Sequence, residues 1–114
     1  MPRAAQASYS LPGGASAALA VLGANLRLAR LRRGQSLRAW ALRLDVSVPT
    51  LLAMERGAPS VGIGVYAAAL WLMDRHAALE DLAAPANDAQ ALAQEVLALQ
   101  RKGTKAPKAP KGHA

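Results

Sequence analysis

The sequence has no cysteine and no phenylalanine, only two histidines, and not one lysine before residue 102. Without cysteine there can be no disulfide and no Cys-based metal site, which fits a reducing cytoplasm. His113 lies in a polar tail that cannot hold a rigid site, and a lone His76 reads as a helix-end residue, so no metal is expected. Long apolar runs are missing as well, and nothing approaches the ~20 residues of a membrane span. The Ala-rich run at 15–22 is short and flows into an arginine-bearing segment, so it is expected to belong to the folded protein, not to a secretory signal. No Ser, His and Asp constellation is present, and no phosphate-cradling glycine loop. Gly62-x-Gly64 is too short for a nucleotide fingerprint, and Glu80-Asp81 reads as a solvated pair. An enzyme is not expected, nor a cofactor.

What remains is a helix-forming composition. Hydrophobic residues make up 53% of the 114, dominated by Ala and Leu with few β-branched types. Ala and Leu lose least on entering a helix, so the expectation is an all-α fold without sheet. Charge is distributed unevenly. All four lysines (Lys102, Lys105, Lys108, Lys111) lie in the last thirteen residues. Seven of ten arginines lie between Arg27 and Arg56, against only Asp45 and Glu55, for a net +5 in that segment. A basic folded segment with a separate basic tail points to a polyanionic partner.

Breakers and caps divide the chain. Pro12-Gly13-Gly14 closes a flexible arm, taken as residues 1–17, and a first helix is expected at 18–33, ended by Gly34. Ser36 caps a second helix at 37–44, Asp45 and Val46 make a tight turn, and Ser47 caps a third at 48–56 with Pro49 in its first turn. Two helices of about eight residues joined by a three-residue turn have helix-turn-helix spacing. A fourth helix at 63–75 turns Ile63, Tyr66, Ala69, Leu70 and Met73 inward, and a short one follows at 78–83. Pro85 ends the folded domain, taken as 18–84. Asn87 then caps a C-terminal helix within 85–102, with Leu92, Val96 and Leu99 on one face, and residues 103–114 form a disordered basic tail.

Within the helix-turn-helix, Ala41 is small where the second and third helices cross. Leu26, Trp40, Val46, Leu51 and Met54 are the expected core, and Arg30 and Glu55 the expected ion pair between the first and third helices. Tyr66 and Trp71 are read as buried, with a dimer face as the other possibility.

The stretch from Leu22-Gly23-Ala24-Asn25-Leu26-Arg27 to Glu55-Arg56-Gly57 resembles the Xre/Cro-type helix-turn-helix repressors. Its carriers are Ser36, Ala41, Val46-Ser47, Leu51 and Glu55-x-Gly57, within a similarity spanning about 19–75. The resemblance implies a five-helix, lambda-repressor-like domain that dimerises on double-stranded DNA. Its third helix would enter the major groove while the first two contact phosphates. A narrower similarity, over the run 57–66, Leu70-Trp71 and 82–88, is to HipB-like antitoxins, which bind their operator as dimers and hold a HipA-type kinase toxin. Two departures from the family are Asp45, where glycine is frequent, and Gln35, where an apolar residue is common.

The third departure bears on function. On the expected reading face stand Val48, Pro49, Leu52 and Ala53, where the family carries Gln, Arg, Ser or Asn, with Thr50 the sole hydroxyl inside the helix. Bidentate base contacts need Arg, Gln or Asn; this face offers thymine-methyl contacts and one hydroxyl. Phosphate contacts are better provided, by Arg27, Ser36, Arg38, Arg43, Ser47, Arg56 and the amides at the helix N-termini. The expectation is a cytoplasmic, nucleoid-associated, dimeric repressor, the antitoxin of a HipA-like kinase. The alternatives are a stand-alone prophage or chromosomal regulator, or an interaction module that has lost sequence-specific DNA reading.

Overall fold

The first helix does not wait for Ala18. In the computed structural model, which describes residues 11–105, α1 runs Gly13–Arg32, with Pro12 at its N-cap and the Ser16 amide bonded to the Pro12 carbonyl at 3.0 Å. Alanines at 15, 17, 18 and 20 favour propagation strongly enough to carry the helix back through two glycines. Residues 13–17 are therefore helical, and not the end of an arm. At the other end Gly34 takes φ +65°, and the Gln35 amide reaches back to the Arg30 carbonyl at 3.2 Å. Such a left-handed residue followed by a six-to-one bond is the Schellman ending.

Helices α2 (Leu37–Leu44) and α3 (Val48–Glu55) stand where caps and turn residues place them. Ser36 Oγ accepts from the Ala39 amide at 3.0 Å, and Ser47 Oγ from the Thr50 amide at 3.2 Å. Asp45 adopts the left-handed conformation at φ 57°, and the Val46 amide bonds the Ala41 carbonyl at 3.0 Å. Asp tolerates this region better than most residues because its short polar chain can bond locally.

Helix α4 is Ile63–Leu72, three residues shorter than expected. Asp74 turns left-handed at φ 58°, and the Arg75 amide bonds back to the Leu70 carbonyl at 2.7 Å. Leu26, Trp40, Ala41, Leu44, Leu51, Met54, Tyr66 and Ala69 form the buried core, with Val46, Leu70 and Met73 packed against it. α3 sits centrally, since α1 and α2 both pack on it, and α2 also meets α4. Ile63 corrects its inward assignment: on the first turn of α4 it lies beyond the core and is exposed. Tyr66 is buried and donates to the Ala58 carbonyl at 2.9 Å, whereas Trp71, also read as buried, is 64% exposed.

The chain divides into two units, residues 1–76 and 77–114, a boundary earlier than the expected one at 84. A 3-10 turn, His76–Asp81, replaces the short helix expected at 78–83. A second 3-10 turn, Pro85–Asn87, leads into α5, Ala89–Lys105. The cap of α5 is Asp88, and not Asn87. Asp88 Oδ1 accepts from the Ala91 amide at 3.1 Å, while Asn87 Nδ2 donates to the Asp81 carbonyl at 3.0 Å. α5 continues through 103–105, three residues assigned to the tail. The remainder of that tail, 106–114, lies outside the described residues, as does the arm before residue 11. Among the described residues there is no strand, and no helix is long and apolar enough to cross a membrane.

Candidate nucleic-acid interface

The arrangement begins with a buried fork. Arg30 Nε donates to Glu55 Oε2 at 2.8 Å and Nη2 to Oε1 at 3.0 Å, with side chains only 6% and 3% exposed. The remaining Arg30 amine, Nη1, donates to the Gln35 carbonyl at 2.9 Å. The guanidinium thus ties α1, the α1–α2 turn and the end of α3 together. Its hydrogen bond to Glu55 outweighs the desolvation and holds its pKa above the ordinary arginine range.

Two glycines complete this junction, and sequence reasoning passed over one of them. A Cβ on Gly23 would lie 2.6 Å from the Gly57 nitrogen and the Met54 carbonyl oxygen. Gly57, read only as a helix stop, has φ +75°, and a Cβ there would strike the backbone of Leu19 and Ala20. Backbone contact across α1 and the end of α3 requires a hydrogen at both positions. The one sequence signal was Gly23 inside an otherwise Ala- and Leu-rich helix.

Held this way, α3 turns Pro49, Leu52 and Arg56 outward at helical spacing, with Thr50 and Ala53 half-buried beside them. Leu51, next to Leu52, is fully buried, whereas Leu52 is 38% exposed. Leu52 is therefore not a core residue. Val48 is pulled the other way: it is half-buried and packs against the core, which removes much of it from the face to which it was assigned. The single hydroxyl on this face is engaged, since Ser47 Oγ donates to Thr50 Oγ1 at 3.0 Å. Ser36 and Ser47 act as caps, their oxygens accepting from amides of their own helices.

Arginines lie on the neighbouring helix α2 and at the end of α3. Arg38, Arg43 and Arg56 are exposed, and the Arg43 guanidinium lies 5.3 Å from the ring centroid of buried Trp40, fixing one cation beside the α2–α3 turn. Between Arg38 and Arg43 stands Leu42, 80% exposed and unremarked in the sequence. Arg27 is exposed on α1. Arg32, Arg33 and Arg75 share an open cleft of about 610 Å³ with Leu28 and Met73.

Chemically, the α2–α3 surface offers exposed cations, one of them held on Trp40, and aliphatic groups, but no exposed carboxylate apart from Asp45 and no amide side chain for bidentate base recognition. Among the described residues no cluster of three His, Cys, Asp or Glu side chains is placed to hold a metal ion. Comparison with protein-family models, with curated proteins and with solved structures returns no match to this chain.

Proposed function

We propose that the chain is a dimeric DNA-binding transcriptional regulator, and that residues 13–76 form a lambda-repressor-like helix-turn-helix unit of the Xre/Cro type. One observation carries the reading: the Arg30–Glu55 fork anchors α3 to α1 with Pro49, Leu52 and Arg56 exposed, and α2, packed on α3, carries the exposed Arg38 and Arg43. Cations at those positions suit phosphates, and the aliphatic groups suit thymine methyls and groove shape. Affinity comes mainly from the backbone, and sequence preference is shallow. The HipB-like pattern beyond Gly57 supports an antitoxin paired with a kinase toxin.

The test is footprinting on the DNA upstream of the gene, with binding measured from 50 to 200 mM salt. The expected outcome is protection of two half-sites about 34–36 Å apart, with affinity falling steeply as salt rises. Absence of any protected repeat, with binding indifferent to salt, rejects the reading. Co-purification with a neighbouring kinase-like gene product separates the antitoxin from a stand-alone regulator.

A second reading is favoured by exposed Leu42 and Leu52, which give the same surface an apolar component suited to a protein partner. In that case Leu52→Arg abolishes the partner complex, whereas in a DNA binder it raises general DNA affinity.

A further inference from the structure

We propose that α5 is a self-association helix, and that two copies of the chain pair through it in antiparallel orientation. This deepens the dimeric part of the function proposed above and is independent of whether DNA is bound. Leu92, Val96 and Leu99 are 46–67% exposed, and their spacing of four and three continues to Ala89 and Gly103. Positions 89, 92, 96, 99 and 103 thus form one heptad seam on a 17-residue helix about 25 Å long.

Charge selects the occupant and its direction. Arg101 and Lys102 lie toward the C-terminal end of α5, while Asp88 and Glu95 lie toward its start. Two parallel copies would set the basic ends side by side and place Glu95 opposite the partner's Gln100. Antiparallel copies separate the basic ends by the helix length. With Val96 opposite the partner's Leu99, Leu92 covers the partner's Gly103, so each large side chain meets a smaller one. Glu95 then lies about 3 Å along the axis from the partner's Lys102, on the same side of the seam, and the symmetric pair repeats the contact. A second copy of α5 therefore matches the stripe in both shape and charge.

The absence of cysteine makes the test direct, because introduced thiols are the only ones present. Full-length Glu95→Cys and Lys102→Cys proteins are mixed under mild oxidation. The expected product is the mixed 95–102 disulfide, well above the roughly twofold excess over either symmetric disulfide that random pairing of an equimolar mixture gives. The random distribution, with the mixed product only about twice each symmetric one, or a dominant 95–95 product, overturns the antiparallel pairing. In parallel, sedimentation measures the dimer dissociation constant of charge variants. Glu95→Lys and Lys102→Glu should each weaken the dimer about tenfold, and the double exchange should restore it to within about twofold. Failure of the exchange to restore overturns the proposal. So does a chain that stays monomeric at all concentrations, the result expected if the stripe were covered within one chain. Transfer of the wild-type chain to phosphatidylserine vesicles, lost in Val96→Ser with no change in dimerisation, overturns it in favour of a membrane surface.

Discussion

Glu55→Ala tests the junction on which the orientation of α3 depends. The substitution removes two charge-assisted bonds of 2.8 and 3.0 Å and leaves the Arg30 guanidinium buried with one partner, the Gln35 carbonyl. Breaking a buried pair by deleting one member costs about 3–5 kcal/mol, because the survivor keeps its desolvation penalty. The retained bond to Gln35 puts the expected loss near the lower end, about 3 kcal/mol. For a unit of this size that is a fall in Tm on the order of 12–24 °C. Arg30→Met with Glu55→Leu removes both charges and refills the volume, and should lie within about 1 kcal/mol of wild type. The assay is urea denaturation of Glu55→Ala beside a double-mutant cycle built from Arg30→Met, Glu55→Leu and their combination, with a coupling energy of opposite sign to the single losses. The raised pKa of Arg30 adds a pH condition. Stability contributed by a raised cationic group is complete below its unfolded pKa and is lost only as pH rises through the folded one, far above neutrality. The Arg30 contribution should therefore be constant between pH 6 and 9. Additive single losses, or a Glu55→Ala cost under about 1 kcal/mol, would refute the reasoning.

Gly23→Ala places a methyl 2.6–2.8 Å from backbone atoms of Met54, Glu55 and Gly57, which cannot rotate away, and should cost at least the ~1–3 kcal/mol of overpacking. Gly34→Ala, at positive φ but with nothing within 4 Å, should cost only the left-handed strain of about 1–2 kcal/mol. Reversal of that order in thermal melts would contradict the proposed close approach. Burial raises the Tyr66 phenol above its ordinary value near 10, so its stabilising contribution is present below that value and fades as pH climbs through the folded pKa. Tyr66→Phe should cost about 1 kcal/mol at pH 8 and flatten the alkaline fall in stability, read from urea midpoints at pH 8 and 10.5. Arg38→Ala together with Arg43→Ala should lower DNA affinity on every sequence and reduce the slope of log affinity against log salt by about two; an unchanged slope would place those arginines off the phosphates.

The local features of the fold were written in the sequence because their causes are local. Ser36 and Ser47 cap helices within three residues of themselves, Gly34 and Gly57 stop them through their own φ angles, and Pro49 fits a first turn that needs no amide. Arg30 and Glu55 could be paired from sequence for a related reason: helical spacing puts Arg30 on the stripe of Leu26, and Glu55 beside Met54 and Leu51. Contacts between elements are another matter. Nothing in the neighbours of Gly23 announces that another backbone passes within a methyl's reach; that follows from how closely α1 crosses the end of α3. The inward turn of Val48 and the outward exposure of Leu52 depend on the rotation at which α3 is locked, since an eight-residue helix rich in apolar side chains has no polar face to fix it. Trp71 and Ile63 are equally undecided by sequence. α4 carries apolar residues on all sides, and only the size of the core beneath Tyr66 and Ala69 determines which of them it covers.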